Sequence, residues 1–148
     1  ISIPWAAGHH FYFQLPWRQG LSRSDYQLSI PASKVRQYKQ GGLLEKVDPP
    51  KGPVPFDDLG LVNRIHYELK EPCAVFGLGN EEEQISIAEV GGAEVGSRLT
   101  FVSWTESDDS PFYCVEPWMA PPNAPEIKSA RFVPPSGRDE FTVEVQLA

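Results

Sequence analysis

The segment EFTVEVQL, residues 140–147, is the clearest indication of the fold. Apolar and polar residues alternate along it, so its apolar side chains share one face of an extended chain. The apolar positions are Phe141, Val143, Val145 and Leu147. This period of two predicts a half-buried antiparallel strand.

Similar runs recur along the chain, each bounded by Gly, Pro, Asp or Asn. They are HFYFQL, YQLSIPA, RIHYEL, CAVFGL, QISIAEV, RLTFVSW, FYCVEP and ARFVP. No helical periodicity persists over several turns, and the 15 prolines oppose helices because proline lacks a backbone donor. The sequence therefore predicts an all-β chain folded as an antiparallel β-sandwich.

The chain of 148 residues is predicted to form a single domain, residues 1–148. A proline-rich connection near residues 48–56 is the best candidate for a boundary, but each side of it is short for a separate domain. The chain begins at Ile1, without Met and in strand-like sequence, which suggests a processed or shortened product.

Composition narrows the classes of partner. The chain has 13 Lys and Arg against 20 Asp and Glu, with no basic run, so neither nucleic acid nor an anionic membrane surface is an expected partner. No stretch approaches the roughly 20 apolar residues of a membrane span, and the start lacks a signal-peptide pattern. We expect a cytoplasmic protein. Cys73 and Cys114 fit no metal or disulfide spacing, so we expect reduced thiols and no metal.

The segment GHHFYFQLPW, residues 8–17, is the first candidate site. Histidine can exchange a proton near neutral pH, and aromatic rings offer a surface for the apolar face of a sugar. The alternative is that one histidine caps a strand end and the aromatics belong to the core. Alternation places His10, Tyr12 and Gln14 on one face, and His9, Phe11 and Phe13 on the other.

The second candidate is SPFYCVEPWMAPPNAP, residues 110–125. Glu116 follows an apolar run, where a desolvated carboxylate acquires the raised pKa of a general base. Trp118 shares its face if the strand continues past Pro117. The alternative is a structural ion pair between Glu116 and Arg98 or Arg131.

Two acidic segments, EEEQ at 81–84 and ESDD at 106–109, are a third candidate site. Paired carboxylates occur in calcium sites and glycosidases. Both segments lie in turn-like sequence without ligand spacing, so we interpret them as solvated hairpin ends.

HHFYF followed by LP, and much later FYCVEPWMAPPNA, resemble the C-terminal half of the aldose 1-epimerase family, also called galactose mutarotases. The resemblance implies part of a large antiparallel β-sandwich that interconverts the α and β anomers of a free hexose without a cofactor. It implies that His10 is the general acid toward the ring oxygen and Glu116 the general base toward the anomeric hydroxyl.

The same resemblance implies further substrate-binding residues. Tyr12, Phe13 and Trp118 would form an apolar wall for a monosaccharide, with His9 beside them. Asn63 stands near a family aspartate that binds sugar hydroxyls, and Asp57 or Asp58 are alternatives for that aspartate.

The family's first half contributes an Asn-Arg pair and a second histidine, for which this sequence has no counterpart. Two hypotheses therefore stay open: an anomer-interconverting enzyme, or a truncated, inactive carbohydrate-binding or interaction module. Half a sandwich exposes a strand edge and an apolar face, so we expect a homo-oligomer that covers them.

Overall fold

A computed structural model describes residues 1–39, 42–79, 83–91, 98–126 and 128–148. Its strands are β1 (Ile3–Trp5), β2 (Tyr12–Gln14), β3 (Tyr26–Ser29), β4 (Ala32–Tyr38), β5 (Leu44–Val47), β6 (Val54–Pro55), β7 (Arg64–Leu69), β8 (Cys73–Leu78), β9 (Gln84–Glu89), β10 (Thr100–Trp104), β11 (Phe112–Trp118), β12 (Arg131–Val133) and β13 (Val143–Leu147). The helical elements among these residues are two 3-10 turns, Arg23–Asp25 and Leu59–Leu61. None of the described segments forms a helix with the length and apolar character needed to cross a membrane.

The strands form two large sheets and a small one. One sheet has the order β2-β11-β10-β7-β4-β5, the other has the order β13-β9-β8-β3-β6, and β1 pairs with β12. All the strand pairs are antiparallel. The predicted all-β fold, an antiparallel sandwich, is confirmed.

The core lies between the two large sheets and is built from alternate residues of their strands. Tyr113 and Val115 of β11 are fully buried in it and meet residues such as Phe76 of β8. Because side chains alternate along a strand, Glu116 points to the opposite face of the six-stranded sheet. Glu116, the candidate functional residue of β11, therefore lies outside the apolar core.

Residues 140–147, the segment EFTVEVQL, contain the edge strand β13. Residues 143–147 pair with β9 as expected, and Phe141 and Val143 pack against the core. Val145 and Leu147 are exposed, at 44% and 77%. The prediction of a half-buried strand therefore holds only near its start, because the core covers the apolar face of the strand at Phe141 and Val143 but not at Val145 and Leu147.

The proline-rich connection joins strands of different sheets. It runs from β5, in the six-stranded sheet, to β6, in the five-stranded one. Strands before and after it contribute to both sheets. The runs that form β4 and β5 were missing from the strands predicted from the sequence, because their apolar residues do not alternate regularly.

The acidic segment at 106–109 is exposed in the turn between β10 and β11, as expected for a hairpin end. In the other acidic segment, Glu81 and Glu82 lie outside the described residues. The neighbouring Glu83 forms an ion pair with Arg18.

His66 of β7 gives the fold a pH dependence that can be measured. It is 1% exposed, its Nε2 atom lies 3.4 Å from Ser103 Oγ, and its Nδ1 atom has no hydrogen-bond partner within the described part of the chain. Burial, with a smaller contribution from the charge of Arg64, lowers the pKa of His66 from 6.5 to about 3. The folded chain therefore holds this side chain neutral.

We expect the free energy of unfolding to fall as the pH is lowered below about 6.5. In that range the unfolded chain binds a proton at His66, whereas the folded chain leaves His66 unprotonated until about pH 3. This single group contributes a slope of at most about 1.4 kcal/mol per pH unit in that window. Denaturant unfolding of His66→Gln should show a shallower slope than wild type. His9→Gln, at an exposed position, is the control and should keep the wild-type slope. Equal slopes in wild type and His66→Gln would contradict the attribution of this pH dependence to His66.

Candidate active site

Pairing between β2 and β11 brings two distant segments together. Cys114 lies opposite Tyr12, and the pairing continues beyond β2 through a hydrogen bond from the His9 backbone N–H to the Pro117 carbonyl, 3.0 Å long. This register sets His10 beside Glu116, with 3.1 Å between His10 Nε2 and Glu116 Oε1. A potential proton donor and a potential proton acceptor are thus in direct contact.

Glu116 is held in a desolvated position. Its side chain is 5% exposed, and its Oε2 atom accepts a hydrogen bond of 3.1 Å from Trp118 Nε1. Burial raises the pKa of Glu116, while the hydrogen bond from Trp118 and the proximity of His10 oppose the rise. A carboxylate with a raised pKa is a better proton acceptor near neutral pH than an exposed one.

The alternative of an ion pair between Glu116 and an arginine is wrong. Arg131 binds Glu89 and Asp139. The Nη1 atom of Arg98 donates to the Ala130 carbonyl. The ionisable side chain that the structure places beside Glu116 is His10.

His10 is half exposed and held between aromatic rings. Its side chain is 45% exposed, and its ring stacks on Tyr12 with 4.9 Å between ring centroids. The ring of Trp104 meets it edge-on at 6.0 Å. These contacts orient the imidazole and leave part of its surface open to a ligand.

A cavity of about 450 Å³ opens at Glu116. This volume lies within the range of small-molecule sites, and its walls are mostly apolar apart from the carboxylate. The described residues that line it include Tyr38, Thr100, Val102, Glu116 and Trp118, with residues 120–125.

Gly8 allows the chain before β2 to lie against the indole of Trp118. A Cβ atom at this position would overlap the Trp118 ring. The two residues form a β-bridge, which continues the pairing of β2 with β11. The close approach of backbone to ring therefore fixes Trp118 beside Glu116.

Other residues predicted for the site lie elsewhere. Phe13 packs into the core, 4.7 Å from Phe76 between ring centroids. His9 stacks on Phe11 and Phe141, at 5.3 Å and 5.6 Å, on the face opposite His10. The alternation predicted for this segment, with neighbouring histidines on opposite faces, is thus observed.

The candidates for the sugar-binding aspartate position are not among the described residues that line the cavity at Glu116. Asn63 is exposed in a turn with φ of 58°, and its carbonyl accepts a hydrogen bond of 2.9 Å from the Tyr38 backbone N–H. Asp58 caps a 3-10 turn through Gly60, and Asp57 lines a different cavity. The structure brings together four of the predicted residues: His10, Tyr12, Glu116 and Trp118.

Several residues around this pair were not predicted from the sequence. Cys114 stands two positions before Glu116, so strand alternation alone predicts that it shares the face of Glu116. Burial raises its pKa to about 12, which makes it a neutral thiol at ordinary pH. Tyr38 and Trp104 come from β4 and β10, and only the order of strands in the sheet places them near the site.

Comparisons with known proteins show what this architecture is similar to. No protein-family model and no curated protein matches the chain. Solved structures do match it. The Slr1438 protein from Synechocystis has a TM-score of 0.70 and 22% identity, with 99% of this chain and 46% of that chain covered.

Two further matches carry a mutarotase name. A galactose mutarotase-like protein from Clostridium acetobutylicum has a TM-score of 0.71 and 14% identity, covering 99% of this chain and 48% of that chain. A galactose mutarotase-like protein from Lactobacillus casei has a TM-score of 0.59 and 19% identity, covering 100% of this chain and 55% of that chain. The chain therefore has the galactose mutarotase-like fold, and it spans about half the length of these proteins.

Proposed function

We propose that this chain carries the acid and base of an aldose 1-epimerase and interconverts the α and β anomers of a free hexose. The observation that supports this most strongly is the contact of 3.1 Å between His10 Nε2 and Glu116 Oε1 beside an apolar cavity. The galactose mutarotase-like fold agrees with this activity. The chain covers only about half of those proteins, so activity and substrate are both part of the proposal.

The chemistry needs one proton acceptor and one proton donor. Glu116 removes the proton of the C1 hydroxyl while His10, in its protonated form, donates a proton to the ring oxygen, and the C1–O bond to the ring breaks. Rotation about the C1–C2 bond turns the other face of the aldehyde to the hydroxyl, and the reverse transfers close the ring. Protons balance over the cycle, and no electron transfer is required.

The substrate must separate the two groups. The anomeric hydroxyl and the ring oxygen are two different atoms bonded to C1, and the acid and the base must each lie within hydrogen-bond distance of its own oxygen and not of each other. The direct contact of His10 with Glu116 therefore represents the site before a sugar enters. Because His10 is 45% exposed and Glu116 is 5% exposed, we expect His10 to be the group that moves.

The remaining substrate contacts stay predictions. Trp118 lines the cavity and Tyr12 stacks on His10, which supports a role for both rings in binding the apolar face of a sugar. The predicted homo-oligomer also stays a prediction. Val145 and Leu147, exposed on edge strand β13, are the surface that a second copy would cover.

Polarimetry tests the proposed function. Freshly dissolved α-glucose and α-galactose are followed to anomeric equilibrium with wild type, His10→Asn and buffer alone. We expect wild type to accelerate the approach to equilibrium. In His10→Asn this acceleration should fall by at least about 100-fold, because the Asn amide is too weak an acid to transfer a proton to the ring oxygen.

His9→Asn is the matched control, because it changes the neighbouring histidine on the opposite face. It should retain the wild-type rate. If wild type does not accelerate either sugar above buffer, the proposed activity is wrong for this chain, and a carbohydrate-binding or interaction module becomes the better interpretation.

A further inference from the structure

Cys114 completes a group of three potential metal ligands. The Nε2 or Nδ1 atom of His10, the Sγ atom of Cys114 and a carboxylate oxygen of Glu116 lie within 4.8 Å of one another. Cys114 and Glu116 are two residues apart on β11 and project from the same face, while the pairing with β2 supplies His10. Cys114 is fully buried, so its sulfur has a fixed position beneath the other two groups.

We infer that His10, Cys114 and Glu116 bind a borderline-soft divalent ion of the Zn²⁺ type. One nitrogen, one sulfur and one oxygen match the ligands that Zn²⁺, Co²⁺ and Cd²⁺ take in proteins, whereas Mg²⁺ and Ca²⁺ prefer oxygen. The inference shares His10 and Glu116 with the proposed function, but it requires no turnover.

The three ligand atoms can reach the spacing of a small tetrahedral ion through modest side-chain movement. Such an ion holds its ligand atoms roughly 3.3–3.7 Å apart. His10 and Glu116, at 3.1 Å, need to separate by only a few tenths of an ångström. Because the three ligand atoms lie within 4.8 Å of one another, the approach toward the buried Cys114 sulfur is at most about 1 Å, and the half-exposed His10 has room to move. The Trp118 indole N–H occupies Glu116 Oε2 and leaves Oε1 facing His10.

The fourth ligand position is available to water or to a sugar hydroxyl. His10 is 45% exposed, and Glu116 borders the cavity of about 450 Å³, so the ion would lie at the boundary between protein and solvent. Three protein ligands with one open position is the coordination geometry that catalytic zinc sites also have.

The ion would act as an inhibitor of the proposed reaction and not as its cofactor. Metal coordination uses the lone pair of the imidazole nitrogen and a carboxylate oxygen, which are the atoms proposed to carry protons. A bound ion and acid–base catalysis therefore exclude each other. A free sugar and the ion should compete for the same face of β11.

Absorption spectroscopy with Co²⁺ tests the inference without any sugar. Metal binding displaces the proton of the otherwise neutral Cys114 thiol and releases it to solvent. Thiolate coordination to Co²⁺ then produces a sulfur-to-metal charge-transfer band that imidazole and carboxylate ligands alone do not produce. We expect wild type to show this band and to saturate at one ion per chain, and we expect Mg²⁺ to compete poorly. Cys114→Ala should lose the band and weaken Co²⁺ binding by at least about 100-fold. Loss of a group that only hydrogen-bonds to a metal ligand usually costs up to about 100-fold, and loss of the ligand itself should cost at least as much.

Cys73→Ala is the matched control, because Cys73 lies on β8 in the other sheet. It should retain both band and affinity. Circular dichroism of each variant checks folding, and His10→Ala, at a half-exposed position, tests the same site if Cys114→Ala does not fold. A folded wild type without the band, or a band that survives in Cys114→Ala, would overturn the inference whether or not the chain accelerates mutarotation.

Discussion

Glu116→Gln is expected to lower kcat/KM for anomer interconversion by about 10³-fold, within the range that general acid–base catalysis contributes. Gln has nearly the shape of Glu, and its carbonyl oxygen can still accept the hydrogen bond from Trp118 Nε1. It cannot take a proton from a sugar hydroxyl at neutral pH. The rate should therefore fall while the fold persists.

The pH profile of wild type adds a second measurement of the same group. A base must be deprotonated to act, so activity is lost as pH falls through its pKa. Because burial raises the pKa of Glu116 above the ordinary 4.5, the acid limb of kcat/KM should lie above pH 4.5. Glu144→Gln, on the exposed face of β13, is the control and should keep rate and profile. A Glu116→Gln enzyme with wild-type activity would remove Glu116 from the mechanism.

Phe76→Ala is expected to lower the free energy of unfolding by about 3–5 kcal/mol, the usual cost of removing a buried phenylalanine ring. Phe76 of β8 is 1% exposed and contacts rings from several other segments. Its centroid lies 4.7 Å from that of Phe13, 5.9 Å from that of Phe56 and 6.1 Å from that of Trp17. The truncation leaves a cavity that these rigid rings fill poorly.

Denaturant unfolding measures this loss. Leu147→Ala is the matched control, because Leu147 is also a large apolar residue of the five-stranded sheet but is 77% exposed. Its effect should stay within about 0.5 kcal/mol. Phe76→Leu should cost less than Phe76→Ala because it fills more of the cavity. A loss below about 1 kcal/mol in Phe76→Ala would contradict the packing between the sheets.

Most of the strands could be predicted from the sequence, because a period of two is a local property of the chain. The run RIHYEL matches β7 over its whole length, and CAVFGL matches β8. β4 and β5 were missed because ASKVRQY and LEKV lack a regular apolar alternation. The pairing of β4 with β7 and of β5 with β4 holds them in the sheet. Burial of the last strand was overestimated, since alternation indicates a face and cannot show whether another layer covers it.

The site was partly predictable for the same reason. Alternation separated His10 from His9 and placed Trp118 on the face of Glu116, and the structure agrees on both points. Of the three aromatic residues predicted to form an apolar wall, one lies on the other face of the sheet. Phe13 shares the face that alternation assigned to it, but that face is the core, so its aromatic ring serves packing and not the cavity.

What the sequence determined by itself was local: which runs are strands, which residues share a face, and that HHFYF and CVEPW resemble one family. The tertiary structure decided which faces meet. The register of β2 against β11 joins His10 to Glu116 and to Cys114, whereas Arg131, on β12, binds Glu89 of β9 and not Glu116. Contacts of this kind depend on backbone hydrogen bonds between strands far apart in the chain, and no spacing within one segment specifies those bonds.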